Sequence, residues 1–314
     1  MITKIGNGGF GTAYKAIHRS TGRIVTIKMT HCKECDFYQK HFTKLQNVNS
    51  KYVISIIDFF QDQKTQQVFI VYPYLEFELG KLLHYQPKIF LNYSTLSYIS
   101  FQILSGIESL HSNGIAHLDI KPGNIFLTKE WDIKIGDLES SKSFGSKNDN
   151  GLSFTCSYIS PEILQGKKEI QNKIDLFSFG LILFELIKGK PLINTNNSKN
   201  ALKFIQSRLN SQNIDSFLSK KINHKKIPEF SANECNSIKS LLIDLLKINP
   251  NDRIDAKKAL NHPFVLYCST QNIKFPIISV PENYEKVINK TFRKSFSDEI
   301  KFLKPRPILP VPII

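Results

Sequence analysis

The sequence predicts an α+β protein, a shorter strand-rich part followed by a longer helical one. Short apolar segments separated by turns fill the first 75 residues, and helical periodicity takes over from Thr95 onward. Runs of strands followed by runs of helices mark α+β architectures. The length of 314 residues is enough to bury one large core or two lobes.

Residues 2–6 read as a strand leading into a glycine-rich loop, and 12–16 as the strand leaving it. Ser20-Thr21-Gly22 then turns the chain into a strand over 23–29. A helical stretch is expected over 33–48, then apolar segments over 53–60 and 68–74. Leu96, Ile99, Ile103, Leu104, Ile107 and Leu110 recur at the spacing of one buried helix face. The most apolar run, 176–187, contains Glu185 and is too short to cross a bilayer, so it reads as a buried helix. Residues 194–200 and 211–226 are polar and read as loop-rich, and beyond Leu266 the pattern loosens into a basic, proline-dotted tail. No internal repeat is visible.

The richest chemistry lies in Ile115-Ala116-His117-Leu118-Asp119-Ile120-Lys121-Pro122-Gly123-Asn124. Asp119 can accept a hydroxyl proton, Lys121 can neutralise a transferring phosphate, and Asn124 offers an oxygen to a divalent metal. Asp137, thirteen residues after Asn124, adds a second hard oxygen ligand. A base, charge compensation and metal ligands in this order are what phosphoryl transfer requires. The glycines of Gly6-Asn7-Gly8-Gly9-Phe10-Gly11 sit in a strand–turn–strand context, which excludes a dinucleotide-binding reading in which the loop opens a helix.

These motifs resemble the eukaryotic protein kinases from Met1 to about Leu266. Val25-Thr26-Ile27-Lys28 stands for the family's V-A-I-K, His117-Leu118-Asp119 for H-R-D, and Asp137-Leu138-Glu139 for D-F-G. Ser160-Pro161-Glu162 matches A-P-E, Asp175-Leu176-Phe177-Ser178-Phe179-Gly180 matches the start of the following buried helix, and Arg253 stands where the family pairs that Glu with an Arg. The resemblance implies a two-lobed kinase fold. Its small antiparallel β-sheet lobe with one regulatory helix spans 1–75, the mainly helical lobe 76–266, and the tail 267–314. It also implies ATP and Mg²⁺ as cofactors. Asp119 and Lys121 are then catalytic, Asn124 and Asp137 hold Mg²⁺, and Ile5, Gly6, Gly8, Gly11, Ala13, Lys28, Pro73, Leu75, Glu78 and Phe126 surround the nucleotide. Tyr72 limits the back of the pocket, Pro73 and Leu75 supply hinge backbone groups for adenine, Glu78 reaches the ribose, and Ala13 and Phe126 sandwich the base.

Lys121, two residues after Asp119, and Thr155 before the Ser160-Pro161-Glu162 motif imply Ser/Thr hydroxyls of protein substrates. The runs around Asp119 and Asp137 are also similar to the Wee/Myt kinases, whose Wee members phosphorylate tyrosine. Three positions depart from the family pattern. His41 aligns where a helix Glu pairs with the strand lysine, and Glu34 is the nearest acid on that face, about 10 Å away along the axis. Lys28 is therefore expected to lack its usual partner. Glu139 replaces a glycine, either adding charge near the metals or pointing to solvent. Leu118 replaces an arginine that receives an activation-segment phosphate, so that switch is absent. The competing reading is a pseudokinase acting as a nucleotide-binding or scaffold module, with a small-molecule kinase as a distant third.

Bulk properties add less. The net charge of +15 is spread along the chain rather than gathered in a stripe, so no nucleic-acid partner is expected, and no membrane partner either. Five cysteines, scattered apart from Cys32-x-x-Cys35, fit a reducing compartment, and the expected location is cytoplasmic or nuclear. In the tail, Lys304, Pro307 and Pro310 share the three-residue spacing of a polyproline II ligand for a Src-homology-3-type partner.

Overall fold

The computed structural model describes residues 3–8, 11–31, 42–62, 64–146 and 156–278. Cys32, Glu34, Cys35, His41, Thr155 and the whole proline motif of the tail lie outside the described residues.

An antiparallel sheet forms the first part, from β1 (Thr3–Gly8), β2 (Gly11–Ile17), β3 (Ile24–His31), β4 (Asp58–Asp62) and β5 (Gln67–Pro73), in the order β1-β2-β3-β5-β4. Alternation decides what each face buries. On β5, Val71 packs with Ala16 and Val25 on one side, while Val68, Ile70 and Tyr72 turn to the other. There they meet Phe42 and Leu45, both within the helical residues 42–46 (α1), together with Val53, Ile54, Leu110, Ile115 and Leu138. This inner cluster joins the sheet to the residues beside Asp137. The segment read as apolar over 53–60 divides in two: Val53 bridges Ile135, and only from Asp58 does the chain enter the sheet.

A short strand, β6 (Phe77–Glu78), leads into α2 (Leu79–Tyr85), and α3 (Tyr93–Ser112) forms the axis of the second part. Asn92 caps α3 by accepting from the Thr95 N–H, and all six apolar positions picked out by periodicity are fully buried. Beyond α3, β7 (Ile115–Ala116) pairs with β10 (Lys142–Ser143), while β8 (Ile125–Leu127) lies between β6 and β9 (Ile133–Ile135). The connection from β7 to β8 carries Asp119, and that from β9 to β10 carries Asp137. Then come α4 (Pro161–Leu164), α5 (Lys173–Lys188), α6 (Ser198–Arg208), α7 (Ile214–Lys221), α8 (Ala232–Leu245), α9 (Ala256–Leu260) and α10 (Pro263–Leu266). The apolar run within α5 is buried, as expected. Among the described residues no helix is long and apolar enough to cross a membrane.

Two expectations for this part are corrected. The stretch 211–226 is not mainly loop: α7 forms there because Ile214 and Leu218, four apart, share a buried face behind a run of Ser and Lys. The polar stretch 194–200 ends inside α6, whose first turn is capped by the Asn197 side chain accepting from the Asn200 N–H. Past α10 the chain still packs. The Phe275 ring stacks on Trp131 at 5.9 Å, and the Trp131 indole N–H donates to the Pro276 carbonyl.

Candidate active site

Asp119 sits in a turn whose backbone is tied down from the far side by Asp175, at the start of α5. The buried Asp175 carboxylate accepts from the N–H of His117 (2.8 Å) and of Leu118 (2.9 Å), and bonds to His111 Nε2 (2.9 Å). Leu118 has φ of 68°, a conformation that side-chain-bearing residues resist, and these two bonds hold it there. The Leu118 side chain is buried among Ala116, Ile170 and Ile174, with Phe144 and Ile163 against them. His117 Nε2 reaches the Gly136 carbonyl at 2.8 Å, joining this turn to the one that carries Asp137.

The Asp119 carboxylate accepts from Lys121 Nζ at 2.7 Å and from Asn124 Nδ2 at 2.8 Å. Asn124 Nδ2 also donates to the Asp119 carbonyl, so the amide is oriented by its nitrogen and its oxygen remains as the atom for a metal. Asp119, Lys121 and Asn124 therefore form one hydrogen-bonded group, as the sequence predicts.

The second group differs from expectation. Lys28, on β3, donates to Asp137 Oδ1 at 2.6 Å and lies 2.9 Å from Glu139 Oε1. These two contacts give Lys28 two carboxylates, while the helix positions aligned with its usual partner lie outside the described residues. The reading of Glu139 as solvent-facing is overturned, because its side chain is only 3% exposed. The cause is local. Leu138 anchors in the inner cluster beneath β5, and the single helical turn Leu138–Ser140 swings the next side chain inward. Neither Glu139 oxygen completes a well-aligned hydrogen bond. Burial, with repulsion from Asp137 and despite attraction to Lys28, pushes the Glu139 carboxyl up to about 8. Burial would also raise Asp137, but the adjoining Glu139 carboxyl and the Lys28 charge hold it well below the usual range. Burial alone would depress Lys28, yet the charges of Glu139 and Asp137 hold it well above an ordinary lysine.

The remaining predicted positions surround these groups. Ile5 lies at a bulge of β1, between Lys4 and Gly6. Gly6 faces Ala13 across the β1–β2 pair, and Ala13 in turn pairs with Lys28. Gly8 pairs with Gly11 beside the loop tip. Gly11 has φ of +130°, and a Cβ there would fall 2.1 Å from the Met29 carbonyl oxygen. Its glycine is demanded by the neighbouring strand, apart from any phosphate. Pro73 closes β5 opposite Val25, and Leu75 packs on the inner cluster. Glu78 pairs with Phe126 across β6 and β8, makes an ion pair with Lys81 at 3.0 Å, and is raised by burial against the pull of Lys81 and Lys121. The Phe126 ring lies against Gly136, where a Cβ would come within 2.8 Å of it. Tyr72 is buried and its hydroxyl has no hydrogen-bond partner among the described residues.

Farther out, Arg253 donates to both oxygens of Glu162, at 2.7 and 3.0 Å, as the motif spacing predicts. Its other donors reach the carbonyls of Lys247, Lys173 and Ile248.

The sequence profile of the protein kinase domain matches residues 1–265. The chain belongs to the protein kinase domain family. It is 26% identical to a mitogen-activated protein kinase of Schizosaccharomyces pombe, over 88% of this chain and 86% of that one. It is 28% identical to a mitogen-activated protein kinase of Saccharomyces cerevisiae, over 96% and 91% of the two chains. With a cyclin-dependent kinase of Oryza sativa it shares 28% identity, over 84% and 88%. The architecture is accordingly the two-lobed kinase fold, and its class that of the protein serine/threonine kinases. Sequence reasoning missed two site residues of this kinase. Asp175 was legible only as the start of a helix, since its partners are 58 and 57 residues away. Glu139 was noticed for the glycine it replaces, not for where its side chain goes.

Proposed function

We propose that the chain transfers the γ-phosphate of ATP to Ser or Thr hydroxyls of protein substrates, inside the cell. The observation that carries this is the Asp119 carboxylate, oriented by Lys121 and Asn124, in a turn that the His117–Gly136 bond ties to the one carrying the Lys28-paired Asp137. Asp119 accepts the proton of the attacking hydroxyl. Lys121 stays beside it to offset the negative charge of the arriving phosphoryl group, and Lys28 steadies the inner phosphates.

The donor set fits a divalent cation. Asn124 and Asp137 give two hard oxygens, and among the described residues no group of three His, Cys, Asp or Glu side chains forms a full cage. Mg²⁺ suits this arrangement because it keeps several ligands on water and phosphate. When bound, it supplies charge neutralisation of the phosphates. The hinge backbone at Pro73 and Leu75, Glu78 at the ribose, and Ile5, Gly6, Gly8, Gly11, Ala13 and Phe126 around base and phosphates complete the proposed nucleotide site. The pseudokinase reading is not favoured, since Lys28, Asp119, Asn124 and Asp137 are all retained, Lys28 bonded to Asp137 and Asn124 to Asp119.

Transfer of radiolabelled phosphate from ATP to the chain itself or to a generic Ser/Thr substrate tests the proposal. Asp119→Asn should lower the rate by about 10²–10⁴-fold. A wild-type protein that binds nucleotide and transfers nothing would overturn it.

A further inference from the structure

We infer that Glu139 is a positioning residue for Lys28, supplied by the turn after Asp137. The inference rests on the phosphotransfer reading above. The geometry behind it is direct. Lys28 Nζ stands between two carboxylates, 2.6 Å from Asp137 and 2.9 Å from Glu139. These two have different tasks. Asp137 is the proposed metal ligand, so a lysine held by Asp137 alone would compete with the cation for the same oxygens. A second carboxylate two residues on gives the ammonium another anchor and leaves Asp137 oxygens for the metal. Glu139 suits that task better than it suits a ligand's. Its side chain is 3% exposed, its turn is fixed by the burial of Leu138, and the lysine lies beside its Oε1. A glutamate buried without well-aligned hydrogen bonds is costly to keep, and the nearby ammonium is the group that offsets this cost.

The position explains the residue type. Glycine here would remove the second carboxylate, and aspartate would fall one methylene short of the ammonium. The Glu139 assignment stands on its own distances, whatever else Lys28 touches.

A double-mutant cycle with Lys28→Met and Glu139→Gln separates positioning from metal binding and from mere structure. In kinetics, Glu139→Gln should lower kcat roughly tenfold to a hundredfold, leave the Mg²⁺ concentration for half-maximal rate unchanged, and cost nothing further on the Lys28→Met background. If Glu139 instead ligates the metal, its loss raises the Mg²⁺ requirement in both backgrounds, and the inference falls. In urea unfolding, Lys28→Met should lower the midpoint by stranding two buried carboxylates. Adding Glu139→Gln should then raise it, the opposite of its effect on the wild type. Equal shifts in both backgrounds would mean that the two side chains are not coupled, and would overturn the inference. A wild-type chain without transferase activity would remove the phosphotransfer reading while the unfolding cycle still decided the pairing.

Discussion

Two buried cations hold this molecule together in different ways. Arg253 faces a single carboxylate, Glu162, and its guanidinium is also bonded to three backbone carbonyls and lies 4.9 Å from the Phe177 ring. Charge and hydrogen bonds balance there. Among the described residues Lys28 faces two carboxylates, and the second makes no well-aligned hydrogen bond. Charge does not balance there unless Glu139 keeps a proton or a further cation arrives. A complete set of partners makes a structural lock, because nothing added can improve it. An incomplete set marks a place prepared for something else. The contrast separates scaffold from site without reference to motifs.

The largest test of this contrast exchanges one carboxylate in each cluster. Asp137→Asn should cut phosphate transfer by 10²-fold or more, on the order expected for loss of a metal ligand. Its urea stability should stay within about 1 kcal/mol of wild type, since Glu139 remains as counter-ion for Lys28. Glu162→Ala has no such deputy. It strands a guanidinium that is fully buried and should cost about 3–5 kcal/mol in urea unfolding. If both variants lost stability equally, the distinction between the clusters would fail.

Asp175 sharpens it with a third buried carboxylate, one saturated by two backbone N–H groups and His111. Burial opposes its ionisation, but the His111 hydrogen bond and the charges of His111 and His117 outweigh that and lower its pKa. A carboxylate whose folded pKa lies below its unfolded value of about 3.9 stabilises the fold above that pH, and the contribution is lost as pH falls through the folded value. Urea midpoints should therefore drop below about pH 4 in the wild type. Asp175→Asn should flatten this acid limb, and at neutral pH should cost roughly 1–3 kcal/mol by weakening the bonds to His117 and Leu118. An unchanged acid limb would show that Asp175 does not contribute to it.

The smallest expected effect lies at the end of the described chain. Phe275→Ala removes a half-buried ring from Trp131 and Tyr98 and should lower stability by about 1–2 kcal/mol, with phosphate transfer intact. No change in the unfolding midpoint would mean that residues past α10 pack without consequence.

What the sequence made legible follows from how local each signal is. The α3 face was readable because its apolar spacing repeats over about four turns, and the Asp119 group because its three members lie within six positions. The Glu162–Arg253 pair, 91 residues apart, was reachable only through family motifs. The α7 helix was hidden because two buried residues, Ile214 and Leu218, are too few to stand out from the surrounding Ser, Asn and Lys. Glu139 was hidden for another reason. A missing glycine signals a backbone constraint, and nothing in the neighbouring letters says that the side chain will turn under a sheet to meet Lys28.

Tyr72 and Glu139 carry a consequence for chemical probes. At the inner end of the proposed nucleotide site stand a buried phenol without a hydrogen-bond partner among the described residues and a carboxyl that lacks well-aligned ones. An inhibitor extended inward with an apolar group would have to displace an ion pair and gain little from the walls. One carrying an amine or amidine at that end would meet the acceptors already in place. Selectivity against kinases with glycine at the position of Glu139 would then come from the ligand's charge rather than its size.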